Sequence, residues 1–519
     1  MHTAASRQPG RSAVASHADF TRADLWVLAG LLAFVALSRS MWCESSPVSW
    51  DAASFWCAAT DFDIAADRPH LPGYFLHVQI IRAFRTVLSP FAANLAPSLL
   101  WSMLATVLLY LYVRRSHGMR DAVVCTMLLV TNPMLWFYGC VSEMYAFDTF
   151  FSLLVVMLAV QGTQRPHTIP VLAAALALGA GVRQSSAVLL LPVALWSVVT
   201  LFRTRNMSAR VATAALVAGA VASAVWFIPF IEACGGLSSY LRLYATNPPG
   251  AVVGPLSNLV SMMQYGLYAL LVPMTVWMMH ARRATSSDHV LPRTAVTLWM
   301  LPAVVMFLFT TYTKGYFLLI TALPVVAMLR HREPLRRGVV MAGIAVQILV
   351  FLAAPHVMPS MRLALAPRHE VSKWSKAGER VVSVFSMTRA HMEHLREYQE
   401  ITDVLVRRQD SALTTLSVFV DPAYPLTARS LQPRHPDAQL CMLYTHAEDV
   451  VLVHQGIGQM RETGVAERLR SSIILTTREV CTMQPLLRIV EERGGLVLAV
   501  PQPGSEAALA AWYARLFVR

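Results

Sequence analysis

Long apolar runs, separated by charged residues, are the feature that most constrains this chain. Because lipid offers no hydrogen-bond partners, a segment that crosses a bilayer must be a helix of about 20 largely uncharged residues. An arginine at the centre of such a helix costs about 2.5–3.5 kcal/mol, so charges mark the span ends. The pattern predicts a polytopic helical bundle of about eleven spans. Their approximate ranges are 24–41, 94–113, 122–140, 146–162, 168–182, 185–202, 211–230, 257–280, 294–312, 315–329 and 338–354.

The composition agrees with lipid as the solvent. Only 14% of the residues are charged, whereas soluble domains carry about 25%. The net charge of +13 would suggest nucleic acid as a partner of a soluble protein. Here the basic residues lie in short hinges between apolar runs, so we predict membrane lipids as partners and no nucleic acid.

The basic hinges also predict an orientation, because Lys and Arg concentrate on the cytoplasmic side. If the N-terminus is cytoplasmic, every dense Arg cluster falls inside, including those at 114–120, 203–210, 282–293 and 330–337. The opposite hinges hold mainly Arg183, Arg242 and Lys314 after the first loop. We therefore predict a multi-pass protein of a bacterial-type inner membrane, with its C-terminal part in the periplasm.

The chain divides by composition into a disordered tail at 1–20, a transmembrane domain at 21–355 and an extracytoplasmic α/β domain at 356–519. The first outer loop of the transmembrane domain spans 42–93. In the last domain, 369–409 reads as an amphipathic helix and 485–493 as a helical stretch. Short β-rich runs at 416–421, 449–453, 472–476 and 495–500 predict a partly parallel sheet. Without a phosphate loop or nucleophile elbow, this domain is expected to be structural or to dock the acceptor.

The seven cysteines show no metal-ligand spacing. Cys43 and Cys57 share one loop, and Cys441 and Cys481 share the last domain. Either pair could form a disulfide if that side is oxidising, or all could be packed free thiols.

The first outer loop is the most informative segment, with aspartates at 51, 61, 63 and 67 among Trp50, Phe55, Trp56 and Phe62. One interpretation is a solvated acidic loop with interfacial aromatic residues. The other follows from the position of Asp51 soon after the first span, before an apolar run, which predicts a carboxylate held near the membrane surface. Such a carboxylate can serve as a general base or a metal ligand.

With residues 68–74 (RPHLPGY) following Asp51, the loop resembles that of the GT-C superfamily of integral-membrane glycosyltransferases, which includes protein O-mannosyltransferases and lipid A aminoarabinose transferases. Residues 141–145 (VSEMY), 181–185 (GVRQS) and 312–316 (YTKGY) are similar to stretches of its bacterial members, and all three fall at outer helix ends. The resemblance covers about 20–355. The chain departs from the pattern at Leu71, where a proline is usual, and in its single Asp51, which leaves a metal requirement open.

The resemblance implies transfer of a sugar from a polyprenyl-phosphate carrier to a lipid, glycan or protein acceptor on the outer face, usually with inversion. Asp51 is then the candidate catalytic base, and Arg183 and Lys314 are candidates to bind the donor phosphate. Glu143, Asp61, Asp63 and His70 are candidate metal ligands or supporting groups, and no cofactor other than a divalent metal ion is implied. Arg183 and Lys314 could instead extend to lipid headgroups. Tyr74 and Tyr145 are most simply interfacial aromatic residues.

Two other function classes remain open. A transporter or flippase for lipid-linked sugars would place ionisable residues at mid-membrane and often carry repeated halves, and no internal repeat is evident here. A non-catalytic assembly protein would work through its outer α/β domain and leave Asp51, Arg183 and Lys314 without a role.

The predicted orientation can be tested with a compartment-specific reporter fused after residue 519. We expect the reporter to be active only in the periplasm, because the alternating Arg clusters place the C-terminus there. Activity in the cytoplasm would refute the orientation.

Overall fold

Helices occupy the apolar runs that the sequence marks as spans. The computed structural model describes residues 20–44, 47, 50–65, 68–246, 266–281, 291–309, 314–329, 336–357, 389–408, 417–420, 431, 434–435, 439–446, 449–454, 460–461, 469–470 and 472–516. Within these residues, five helices are long and apolar enough to cross a membrane: α1 (Arg22–Ser40), α4 (Pro90–His117), α7 (Ala146–Gln164), α9 (Gln184–Arg203) and α10 (Ala209–Ala233). The other spans are shorter helices or broken ones. They are α5 (Met119–Val130), α6 (Pro133–Tyr138), α8 (Ile169–Val182), α12 (Val272–Ala281), α13 (Arg293–Phe309), α14 (Lys314–Thr321), α15 (Leu323–Met328) and α16 (Arg337–Val357).

Three further helices lie outside the predicted spans: α2 (Trp50–Thr60), α3 (Phe75–Arg85) and α11 (Leu237–Thr246). The predicted helical bundle is confirmed. Of the predicted run at 257–280, the part before 266 lies outside the described residues.

Side chains that satisfy free backbone N–H groups set several helix starts. Thr21 and Asp24 form a capping box at α1, and Ser89 caps α4 immediately before Pro90. Such caps are needed because the first four N–H groups of a helix have no partner within it.

The run predicted as one span at 122–140 is interrupted between α5 and α6. Asn132 accepts hydrogen bonds from the backbone N–H groups of Met134 and Leu135, and Pro133 has no N–H to satisfy. An Asn-Pro pair therefore starts a new helix where the apolar pattern alone predicts continuity.

Ion pairs with a buried carboxylate join helices near their ends. Asp24 accepts hydrogen bonds from Arg114 at 2.5 Å and from the Tyr110 hydroxyl at 2.8 Å, which ties α1 to α4. Arg337 donates to Asp121 at 2.8 Å, which ties α16 to α5. Both arginines belong to the clusters predicted to be cytoplasmic. In addition to that predicted role, each one bonds an aspartate on a neighbouring helix and so links two helices of the bundle.

The C-terminal part contains α17 (Arg389–Arg408), α18 (Arg478–Met483), α19 (Glu506–Leu516) and one sheet. Its strands are β1 (Ser417–Val420), β2 (Gln439–His446), β3 (Asp449–His454), β4 (Met460–Arg461), β5 (Ile473–Thr477), β6 (Leu487–Arg493) and β7 (Leu496–Pro501). The order is β4-β3-β2-β1-β5-β7-β6. Since β1 is parallel to both β2 and β5 and the other pairs are antiparallel, the predicted partly parallel sheet is confirmed.

The helical stretch predicted at 485–493 is wrong. Residues 487–493 form β6, which pairs antiparallel with β7 across Gly494 and Gly495. Both glycines have positive φ, a conformation suited to a tight hairpin. The Gly-Gly pair before the 496–501 run was the available hairpin signal.

The described cysteines do not form the disulfide considered for the first loop. Cys43 and Cys57 are free thiols, as is Cys481. The Cys441 side chain lies outside the described part of the chain.

Candidate functional site

Asp51 lies in the first turn of α2, with a quarter of its side chain exposed. Its Oδ1 is 3.7 Å from Nε2 of His70. The backbone N–H of His70 donates to Oγ of Ser54 at 3.1 Å. Asp51 and His70 are therefore held together by a contact within the loop, in agreement with a carboxylate fixed in place.

Helix α2 is fixed by arginines from α3. Arg82 donates to the carbonyls of Ala58 and Ala59 at 3.2 Å, and Arg85 donates to that of Trp56 at 2.9 Å. The last carbonyls of a helix have no partner within it, so these arginines satisfy the C-terminal end of α2. From α4, Asn94 donates to the carbonyl of Ala52 at 3.1 Å. The two arginines that keep α3 from being a span are thus the ones that hold the helix carrying Asp51.

Aromatic rings pack beneath this pair. The ring of Phe55 lies 5.5 Å from that of His70, 5.4 Å from that of Tyr74 and 4.7 Å from that of His77. His77 is almost fully buried and neither ring nitrogen has a hydrogen-bond partner. Burial lowers the pKa of His77 to about 3, so this imidazole stays neutral at physiological pH.

Arg183 forms a second polar centre between α8 and α9. It makes a buried ion pair with Asp148 of α7, and Asp148 also accepts a hydrogen bond from Ser186. The guanidinium lies 4.8 Å from the ring centre of Tyr145 and 5.9 Å from that of Tyr316, within range of cation–π attraction. Because Arg183 is only 5% exposed, the alternative in which it extends to lipid headgroups is not what the structure shows.

The Arg183–Asp148 pair is tightly enclosed by α14. A Cβ atom at Gly315 would collide with Nη1 of Arg183 and Oδ2 of Asp148, so only glycine leaves room for the pair. Thr149 donates to the carbonyl of Leu318 at 2.9 Å and holds α14 against α7. Lys314 is the first residue of α14, next to Gly315, and its side chain lies outside the described residues.

The phenol of Tyr145 lies within electrostatic range of charged groups from both centres. Burial raises the pKa of the Tyr145 phenol well above its usual value, the carboxylates of Glu143 and Asp51 add to the rise, and Arg183 opposes it. The three charged groups therefore act on one phenol. Glu143 is itself buried, and its backbone carbonyl accepts a hydrogen bond from Ser98 at 2.6 Å.

Asp61 and Asp63 both interact with Arg68. Asp61 is exposed and pairs with Arg68 at 2.8 Å, and Asp63 forms a backbone bridge with Arg68. The negative charge of Asp63 acts on Cys234, at the end of α10. The described residues include no group of three or more His, Cys, Asp or Glu side chains placed to hold a metal ion, so we derive no step through a metal.

Sequence reasoning missed the residues that surround Arg183. Asp148, Tyr145 and Tyr316 were not assigned to the site, although Asp148 is an acid inside an apolar span. An ionisable residue in a spanning helix is costly unless it has a partner, so Asp148 was the signal for a buried cation nearby.

Comparison with known proteins identifies the fold. A family model described as dolichyl-phosphate-mannose-protein mannosyltransferase matches residues 68–230. The structure of ArnT from Cupriavidus metallidurans bound to undecaprenyl phosphate superposes with a TM-score of 0.55 at 13% identity, covering 92% of this chain and 98% of that one. The apo structure of the same protein gives 0.52 at 12% identity with the same coverage. No curated protein matches the chain.

The chain shares the fold of these ArnT structures, and residues 68–230 are similar to the mannosyltransferase family. The predicted resemblance is confirmed, and the protein is a multi-pass membrane protein. The matched residues 68–230 include His70, Glu143, Asp148 and Arg183 but neither Asp51 nor Lys314.

The enclosure of the ion pair gives a stability prediction. Gly315→Ala is expected to lower the thermal unfolding temperature of the purified protein by several degrees, because overpacking a buried site costs about 1–3 kcal/mol. Gly338→Ala in α16 is the matched control, since a Cβ atom there meets nothing within 4 Å. Equal unfolding temperatures for the two variants would contradict the enclosure.

Proposed function

We propose that this chain transfers a sugar from a polyprenyl-phosphate carrier to an acceptor on the outer face of a bacterial-type inner membrane, with inversion at the sugar carbon. The observation that supports this most is that the Arg183 guanidinium lies 4.8 Å from the ring centre of Tyr145, a buried phenol within electrostatic range of Asp51. A base and a cation at one site are what such a transfer needs.

Asp51 is suited to be the base. An acceptor hydroxyl must lose its proton as it attacks the sugar, and the base must lie within hydrogen-bond reach of it. The carboxylate of Asp51 is partly exposed, and α2 is anchored through Ala52, Trp56, Ala58 and Ala59. An anchored base keeps its position when the acceptor arrives.

Arg183 is suited to receive the carrier phosphate. As the bond to the sugar breaks, negative charge develops on the phosphate, and a fixed cation stabilises it. Asp148 occupies Nη1 of Arg183, whereas Nε has no hydrogen-bond partner. Asp148 thus orients the guanidinium and leaves another donor for phosphate. Lys314, beside Gly315, is the second proposed cation.

The prenyl tail needs only apolar surface. Helices α9 and α10 expose Val188, Leu195, Val221 and Val225, which face lipid in a bundle of this kind. The ArnT structure, which shares the fold, is bound to undecaprenyl phosphate, and this supports a carrier of the same class. The first experiment below identifies whether the acceptor is a lipid, a glycan or a protein.

The geometry favours an enzyme over a transporter. Asp51, Glu143, Arg183 and Lys314 all lie at helix ends or in the connections between helices, on the side predicted to be outer. A path for a lipid-linked sugar would place such groups along the depth of the bundle.

In a strain that lacks this protein, mass spectrometry of envelope glycans and lipids should reveal a missing sugar modification. We expect Asp51→Asn to restore less than about 1% of the modification that the wild type restores, since a general base contributes about 10²–10⁴-fold. The variant should insert in the membrane at the wild-type level.

Glu232→Gln is the matched control, because Glu232 is an exposed acid at the end of α10. It should restore the modification fully. Restoration by Asp51→Asn would remove Asp51 as the base.

Arg183 is tested by binding of undecaprenyl phosphate to the purified protein, measured as a ligand-induced rise in unfolding temperature. Arg183→Lys keeps the positive charge beside Asp148 but loses the planar guanidinium. We expect roughly ten- to hundredfold weaker binding, as for the loss of one hydrogen bond to a charged group. Wild-type affinity in this variant would argue against a phosphate role for Arg183.

A further inference from the structure

Tyr74 adopts a backbone conformation that its side chain disfavours. Its φ and ψ are both 42°, in the left-handed region, at the residue that precedes α3. Non-glycine residues are uncommon there, and aromatic ones more so than Asn or Asp. Such conformations persist only where the surroundings impose them, and they concentrate at functional sites.

The neighbouring structure imposes this conformation. Gly73 has a φ of 115° and lies so close to Phe230 of α10 that a Cβ atom would collide with its ring. From α11, the hydroxyl of Tyr240 donates to the carbonyl of Pro72 at 3.4 Å. Helices α10 and α11 therefore pack against the turn at Pro72 and Gly73, which precedes Tyr74.

The ring of Tyr74 lies beside the Asp51–His70 pair. Its centre lies 4.8 Å from that of His70, which contacts Asp51. Leu76, the second residue of α3, packs against Gly181, two residues before Arg183. Burial raises the pKa of Tyr74 above its usual value, Arg183 opposes this rise and Asp51 adds to it. The phenol therefore remains neutral and can donate a hydrogen bond. It lies within electrostatic range of both Asp51 and Arg183.

The hydroxyl of Tyr74 is available to a ligand. The hydrogen bonds of the described residues include none from this hydroxyl, although the ring around it is packed against Phe55 and His70. Tyr145 and Tyr316, the two tyrosines whose rings contact the Arg183 guanidinium, are buried.

We propose that Tyr74 is a further catalytic residue, which donates a hydrogen bond to the oxygen between the sugar carbon and the phosphorus of the carrier. This inference rests on the proposed function. As the acceptor oxygen bonds to the sugar carbon, its proton passes to the Asp51 carboxylate. The bond from the sugar carbon to the phosphate oxygen breaks, and its electron pair stays on that oxygen. Tyr74 stabilises the charge that develops there and keeps its own proton.

The test is Tyr74→Phe, which removes the hydroxyl and retains the ring. We expect sugar transfer about ten- to hundredfold below the wild-type rate, in line with the loss of one hydrogen bond to a charged oxygen. Because that oxygen remains on the released carrier, the rise in unfolding temperature caused by undecaprenyl phosphate should also shrink. The unfolding temperature without ligand should stay at the wild-type value, which separates this role from a merely structural one.

Tyr112→Phe, on α4, is the matched control and should behave as the wild type in all three measurements. Wild-type transfer and wild-type ligand response in Tyr74→Phe would overturn the inference. If Asp51→Asn is inactive in the same assay while Tyr74→Phe is fully active, only the role of Tyr74 fails. If Asp51→Asn is also active, the proposed mechanism of transfer fails with it.

Discussion

The buried ion pair between Arg183 and Asp148 is the interaction on which the rest of the site depends. Removing two charges from water costs several kcal/mol for each ion, and only close geometry with further hydrogen bonds offsets that cost. Ser186 and the rings of Tyr145 and Tyr316 supply those contacts. The pair can form only where α7, the α8–α9 connection and α14 converge, so it fixes these three elements relative to one another.

This pairing also sets how an anion would meet Arg183. Asp148 neutralises the guanidinium before any ligand arrives, which is why the charge is tolerated in a buried position. A phosphate must then bind at the edge that Asp148 does not occupy, which includes Nε. The carboxylate therefore restricts the direction from which the proposed phosphate can approach the guanidinium.

The spans and the location of the candidate residues at helix ends could be predicted because lipid penalises every misplaced charge. The hydrophobic pattern says little about polar partners inside the bundle, so Asp148 was missed although it pairs with a residue that was predicted. The pattern also gave one continuous run at 122–140, where Asn132 and Pro133 begin a second helix. In the C-terminal domain, 485–493 was predicted as a helical stretch between strands, but pairing with β7 decides the conformation of residues 487–493.

The interruption between α5 and α6 bears on the rival transporter function. Broken helices in transporters leave backbone groups free to coordinate substrate or ions. Here Arg39 donates to the carbonyl of Val130 at the break, at 2.6 Å. The side chains of Thr131 and Asn132 make further bonds, to Gln347 at 2.9 Å and to the carbonyl of Ala269 at 2.7 Å. The break therefore joins α5 to α1, α16 and the turn before α12, so it ties helices of the bundle to one another.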